Sequence, residues 1–349
     1  MSDLQADAAP ATAETPAGRP GSPGRPARAW LIPVFAGLVI GTVFVAVYVG
    51  LQRHPTPHRL PVAVAGQPLA SAVRTGLGAS AALTEVADAA EGARRVHAGD
   101  VIGSLSLGPG GALELDYAGA AGASESGAVQ AVARGFGART GRDVRAVDIV
   151  PLVGDDSRGL SGFYVVFGVT LASFVLAQAL TGAADDIPLR DRLLAIGGFA
   201  VVIGLISSVL AGPVYGSLPA PYPELALTLV LLSTASAFAT KALGTWLGPP
   251  GIGLAVLLLT TIGNATSGAI IGVHLLPAWA RTVSPVLPPG AAVRALTRFG
   301  YLDGTRTVVP LLVLAAWSVA GSALVVLRSA RTRPRVPSRS IPSRGPRRV

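Results

Sequence analysis

The chain has 349 residues, of which 50% are hydrophobic and 13% charged, with a net charge of +9 and 0 cysteines. An ordinary soluble domain carries about 25% charged residues, and a chain with half that share cannot face water all round. The absence of cysteine excludes disulfide frameworks, thiolate metal sites and cysteine nucleophiles, and the surroundings of the one lysine, Lys241 in AFATKALGTW, exclude the phosphate-binding loop G-x-x-x-x-G-K-[ST] and an ATP-hydrolysing motor of that type.

The apolar residues gather in long runs, which is the pattern of an α-helical polytopic membrane protein. Residues 1–29 are Ala, Pro and Gly with balanced charge and predict a disordered cytoplasmic tail. Residues 30–51 form the first transmembrane helix, with Trp30 and Tyr48 placed as interfacial anchors. Its apolar run exceeds the roughly 7 to 15 residues of a signal-peptide core, and no small-x-small cleavage site follows, so an uncleaved anchor is expected.

Residues 52–159 have ordinary polarity and a mixed rhythm, and predict a small α/β extracytoplasmic domain between the first and second spans. Strands are expected at LPVAVAG, LTEV, VIGSLSLGP, GALELDYAG and DVRAVDIV, with helices at SAVRTGLGA, DAAEGARRVHAG and SGAVQAVARGF. Pro109, Gly110 and Gly111 mark a turn joining two paired strands. Leu83, Val86, Val101, Ile102, Leu105, Leu113 and Leu115 are the expected contributors to its core. His54 and His58 have metal-ligand spacing, but Pro55 and Pro57 between them forbid the helix such a pair needs, which favours a linker. Asp155 and Asp156, on a chain entering a helix, read as capping groups rather than a catalytic pair. The chain carries no enzyme signature, and neither a cofactor nor a metal is expected.

A hydrocarbon core about 30 Å thick takes about 20 apolar residues as helix. Five further stretches meet that length: 162–180, 193–211, 225–243, 252–276 and 308–327, giving six transmembrane helices. Gly197, Gly198, Gly204 and the Ser207-Ser208 pair dilute the span 193–211 and suit close helix packing. The tail 328–349 has eight arginines and no acidic residue, so it should be cytoplasmic, and six spans then put both termini inside a cell membrane. Arg190 and Arg192 fall inside on this count; Arg281, Arg294, Arg298 and Arg306 fall outside, against the rule. The basic tail can touch anionic membrane lipid, and no nucleic-acid partner is expected.

The fifth span changes character at TTIGNATSG, where Thr260, Thr261, Asn264, Thr266 and Ser267 put polar groups in an apolar helix. Two readings stay open: interhelical hydrogen bonding with Gly268 and Gly272 as a G-x-x-x-G face, or a polar translocation pathway. His274 reads as a capping or interfacial group. After several prolines a helix can start at Pro289, with Ala292, Ala295, Leu296, Phe299 and Leu302 on one face and Arg294 and Arg298 on the other. Such an amphipathic helix, lying at or dipping into the outer interface, accounts for the basic residues outside.

The string GNATSG, then LLP, LPPGAAVRAL, YLDG and the final PLLVLAAWSVAG resembles the C-terminal signature of ABC-2-type transporter permeases, especially bacterial YhgE/Pip-like membrane proteins. The opening LPVAVAG and the segment IVPLVGDDSRGL are similar as well. The resemblance implies a five-helix ABC-2-type membrane domain over 160–327, working as a homodimer or with a second permease. It implies an outer hairpin, re-entrant or interfacial, within 277–307 that includes Pro288, Pro289, Gly290, Arg294 and Arg298. It also implies a separate ABC ATPase docked on the loop TGAADDIPLRDR, through Asp185, Asp186, Arg190, Asp191 and Arg192. The expected activity is export of an amphipathic or lipid-like solute. The alternative is a non-transporting cell-envelope protein whose outer domain binds a ligand or a protein.

Overall fold

The computed structural model describes residues 31–53, 55–183 and 186–332. Trp30, His54, Asp185 and the tails predicted at 1–29 and beyond 332 lie outside the described residues. The chain divides into two units inside its first helix, α1 (Leu31–Gln52): one is Met1–Val39 and the other Ile40–Val349. Of the first unit, Leu31–Val39 is helical and exposed. Everything below concerns the second.

After α1 come β1 (Leu60–Ala65), α2 (Gln67–Leu77), β2 (Ala81–Val86), α3 (Ala89–His97), β3 (Gly103–Leu107), β4 (Leu113–Tyr117), α4 (Ala123–Thr140) and β5 (Val144–Asp148). They form one sheet of order β2-β1-β3-β4-β5, in which only the β3–β4 pair is antiparallel. That pair is the one joined by the short turn through Pro109–Gly111, whereas the parallel neighbours are linked through helices, as crossover geometry requires.

β1 shows how the sequence builds both faces. Leu60, Val62 and Val64 point into a core with Leu69 and Val73 of α2 and Val129 and Phe136 of α4. Ala63, between them, faces Val86, Val96 of α3 and Val101 on the opposite side. Large residues on one face and a small one on the other set the spacing of the helices, and burial on both faces explains a strand with no polar alternation. Of the expected core residues Leu83 is partly buried, and the other six are buried.

Asp88 starts α3 by accepting from Glu91 N at 2.7 Å, while the Glu91 carboxylate accepts from Ala87 N at 3.0 Å, a near-reciprocal cap. Asp156 does the same for the next helix, accepting from the N–H groups of Leu160 and Ser161 at 3.0 Å each. The Asp155-Asp156 pair thus includes the capping group expected from its position.

The remaining elements are α5 (Ser161–Gly182), α6 (Leu189–Val209), α7 (Tyr222–Leu247), α8 (Pro249–Ala255), α9 (Ala278–Val283), α10 (Pro288–Tyr301) and α11 (Val308–Thr332). Five helices, those beginning at Leu31, Ser161, Leu189, Tyr222 and Val308, are long and apolar enough to cross a membrane, so the chain is a multi-pass membrane protein by length and composition. α7 is the central member, its side chains enclosed by α5, α6 and α11. A Cβ on Gly204 of α6 would lie 2.8 Å from Val230 N, and one on Gly321 of α11 2.8 Å from the Phe238 carbonyl carbon, so glycine lets both helices approach α7 closely. Lys241 of α7 is buried and donates to the Leu180 carbonyl at 2.7 Å, satisfying one of the free carbonyls at the end of α5.

The sixth expected span does not form as one helix. Over 252–276 the chain is helical from α8 through a π-helical turn at Val256–Gly263 to Ala265, followed by irregular backbone and a short 3₁₀ turn at Val273–Leu275. Thr260 and Thr266 turn their hydroxyls onto the carbonyls of Val256 and Ile262, competing with the backbone ladder. Gly268 then takes φ +91, which ends helical winding.

Candidate functional site

The polar residues of this interrupted segment are buried, and most bond to their own backbone. Ser267 Oγ donates to the Asn264 carbonyl at 2.8 Å and Asn264 Nδ2 to the Leu259 carbonyl at 3.0 Å, inside the π-helical turn. Thr261 Oγ1 and Asn264 Oδ1 are buried without a hydrogen-bond partner. Of the two readings left open, interhelical bonding by these side chains finds no bond among the described residues; the approach from another helix is Tyr48 of α1, whose hydroxyl lies 3.5 Å from the Thr260 carbonyl. Gly268 and Gly272 do not make a helix face, because their backbone is not helical.

α10 begins at Pro288, beside the predicted Pro289, and its first turns are buried against other helices. Pro288, Pro289 and Gly290 are buried, and Ala291, Ala292, Val293 and Leu296 join a core with residues of α5, α7 and α11. The tip meets the interrupted segment, since a Cβ on Gly263 would lie 2.9 Å from Pro289 Cγ. At its other end, Tyr301 and the following Leu302 pack on the α3 side of the sheet. The helix therefore runs from the middle of the bundle to the α/β domain.

A cavity of about 390 Å³ lies where α10, the irregular segment and the α/β domain meet. Its charged lining is Arg294, Arg298, Arg306, Asp100, Glu125 and His274, set among apolar Ile102, Val273, Val293 and Leu302. Arg306 pairs with Asp100 at 2.8 Å. Glu125, buried in the first turn of α4, accepts from the His274 backbone N–H at 2.8 Å and lies 3.0 Å from its Nδ1. Ser124 Oγ donates to the Ile270 carbonyl and His58 N to the His274 carbonyl, so the domain grips the irregular segment at several points. Gly272 is necessary there, because a Cβ would overlap the Glu125 side chain.

Among the described residues Arg294 and Arg298 bond only to neutral oxygens: Arg294 to Ser284 Oγ at 3.2 Å and Ser284 O at 2.7 Å, Arg298 to Thr305 O at 3.0 Å. Burial, with Arg298 adding to it, pushes the Arg294 guanidinium down to about 10. Burial and then Arg306 lower Arg298, with Asp100 opposing. Both stay cationic at neutral pH.

Elsewhere, Asp186, Arg190 and Asp191 are exposed around the start of α6, while Asp185 lies outside the described residues. Arg192 differs from the rest: its Nε is buried without a partner, so the side chain is turned partly inward. Among the described residues no group of three or more His, Cys, Asp or Glu could hold a metal ion. Glu125 and Asp100 carried no sequence signal beyond an acid near a helix end, because what gives them a role is a partner distant in the chain.

Compared with known proteins, the chain matches no family model, no curated protein and no solved structure.

Proposed function

We propose that the chain is the membrane subunit of an ABC-2-type export system, moving an amphipathic or lipid-like solute with energy from a separate ATPase. The observation that carries this reading is the end of an apolar helix after Ala265, inside the bundle and beside the buried tip of α10, with Thr261 Oγ1 and Asn264 Oδ1 left without partners in its last turns. Interrupted helices of this kind are tolerated at membrane depth where they line a cavity, and such segments in transporters form the substrate path. Thr260, Thr261, Asn264, Thr266 and Ser267 are the pathway candidates, and α10 with Pro288, Pro289, Gly290, Arg294 and Arg298 is the gate above them. The ABC-2-type part of the reading rests on the sequence resemblance, and the geometry bears on the path alone.

The reading includes six crossings, with α8 and the irregular segment together making the fifth. In support, Thr305 Oγ1 donates to the Ala98 carbonyl of the α/β domain at 3.1 Å, whereas Trp246 Nε1, at the far end of α7, donates to the Leu324 carbonyl of α11 at 3.0 Å. The chain must return from the second end to the first between Trp246 and Thr305. The domain is then extracytoplasmic and the exposed Asp186, Arg190 and Asp191 face the ATPase.

Purification in mild detergent tests the proposal. An ABC ATPase should co-purify with the wild type and be lost from Asp186→Arg. If no ATPase is retained, and removal of the α/β domain alone reproduces the phenotype of deleting the whole gene, the transport reading fails and the ligand-binding envelope protein replaces it.

A further inference from the structure

We propose that the cleft between the α/β domain and α10 binds the phosphate of an anionic amphiphile, with Arg294 and Arg298 as its cationic ligands and the apolar wall holding the adjoining hydrocarbon. Three arginines line the cleft against two carboxylates, and both carboxylates are engaged, Asp100 by Arg306 and Glu125 by His274. Arg294 and Arg298 stand one helical turn apart, where like charges repel, and no carboxylate bonds either of them.

Each guanidinium has five N–H donors in a planar fork. The bonds to Ser284 and Thr305 leave donors free on both, and both residues line the cavity. A tetrahedral phosphate suits two forks approaching from one helix, and its charge removes their mutual repulsion. The volume of about 390 Å³ falls within the roughly 300 to 1,000 Å³ of small-molecule sites. Ile102, Val273, Val293 and Leu302 give the rest of the wall an apolar character that a free inorganic ion would not use.

The inference deepens the export reading by naming the ligand class, and rests on it only for the role of the cleft in passage. Binding is therefore measured without transport. The full chain is purified in a maltoside detergent, which carries no phosphate, and its thermal unfolding midpoint is followed while inorganic phosphate, phosphatidylglycerol in mixed micelles or diacylglycerol in mixed micelles is added. A ligand bound by the folded state raises the midpoint in proportion to its affinity. Phosphatidylglycerol, with or without a response to inorganic phosphate, should raise it, and diacylglycerol should not.

A response to phosphate without one to phosphatidylglycerol assigns a free anion and overturns the amphiphile, and one to phosphatidylglycerol alone assigns a lipid headgroup. Arg298→Gln should weaken the response about tenfold or more, Arg298→Lys should restore part of it, and Arg139→Gln, on the far side of the domain, should leave it unchanged. Should Arg298→Gln not fold, Thr297→Glu, which puts a carboxylate into the same lining, should abolish the response. The proposal is overturned if neither phosphate-bearing probe shifts the midpoint, if diacylglycerol acts equally, or if the folded variants respond like the wild type. Loss of binding with the ATPase still retained would sink this inference and leave the export reading standing; the converse result would do the reverse.

Discussion

Glu125 and Glu91 are both first-turn acids of helices, and they do different work. Glu125 crosses to His274, holding the irregular segment against the domain through its backbone N–H and ring. Glu125→Ala leaves a half-buried N–H unpaired, a loss of roughly 1–3 kcal/mol for such groups. Amide exchange over residues 270–276 should accelerate by one to two orders of magnitude, about what that loss implies, while exchange in β1 stays slow. Glu91 acts locally: the Ala87 N–H, then Arg95, hold its carboxyl below the usual value of 4.5. A carboxylate lowered on folding stabilises above its unfolded pKa and loses that contribution as pH falls through the folded one. Protection of α3 amides should therefore be constant from neutral pH to about 4.5, then decline, and Glu91→Gln should remove the decline. The helix α3 was legible in the sequence from DAAEGARRVHAG, and its cap is what the structure adds. Glu125 was not legible, since its partner is 149 positions away.

At the scale of elements, the α/β domain was read almost whole. Its strands alternate with amphipathic helices, and strand Gly103–Leu107 meets strand Leu113–Tyr117 across the Pro-Gly-Gly turn as the spacing required. The membrane elements were legible where apolarity and length agree, and failed at 252–276, where apolar content predicted a span but π winding, hydroxyl groups and Gly268 end the helix early. α10 was legible as a helix and not in how closely its first turns pack: a stripe of apolar residues from Ala292 marks a buried face, while the small Gly290 and Ala291 that let its first turns enter the bundle lie outside that stripe. Gly290 is the tightest point, since a Cβ there would overlap the Ser284 carbonyl. Gly290→Val should lower the unfolding midpoint sharply, overpacking at such sites costing about 1–3 kcal/mol or more. Gly135→Ala, on the solvent side of α4 with nothing near its Cβ, should leave the midpoint unchanged or raise it slightly.

For the whole molecule, the contacts constrain the proposed topology more tightly than the apolar runs do. α8 with its π-helical continuation covers residues 249–263, about 22 Å at 1.5 Å per residue, short of a core about 30 Å thick. Length alone would let it lie on the surface and leave five crossings. If α5, α6 and α7 each cross, however, Leu247 lies on the side opposite the α/β domain, whereas Thr305 bonds to that domain at Ala98. The chain can satisfy both only by crossing between them, with residues 266–272 supplying the missing depth in protein-enclosed, irregular backbone. A chain with 0 cysteines makes this directly testable. Single substitutions Asp100→Cys and Thr305→Cys should react with a membrane-impermeant maleimide from the outside of intact cells, and Asp186→Cys and Leu247→Cys only after the membrane is opened. Labelling of Leu247→Cys from outside together with Thr305→Cys would show that the interrupted segment does not cross, and the pathway built on Thr261 and Asn264 would lose its place.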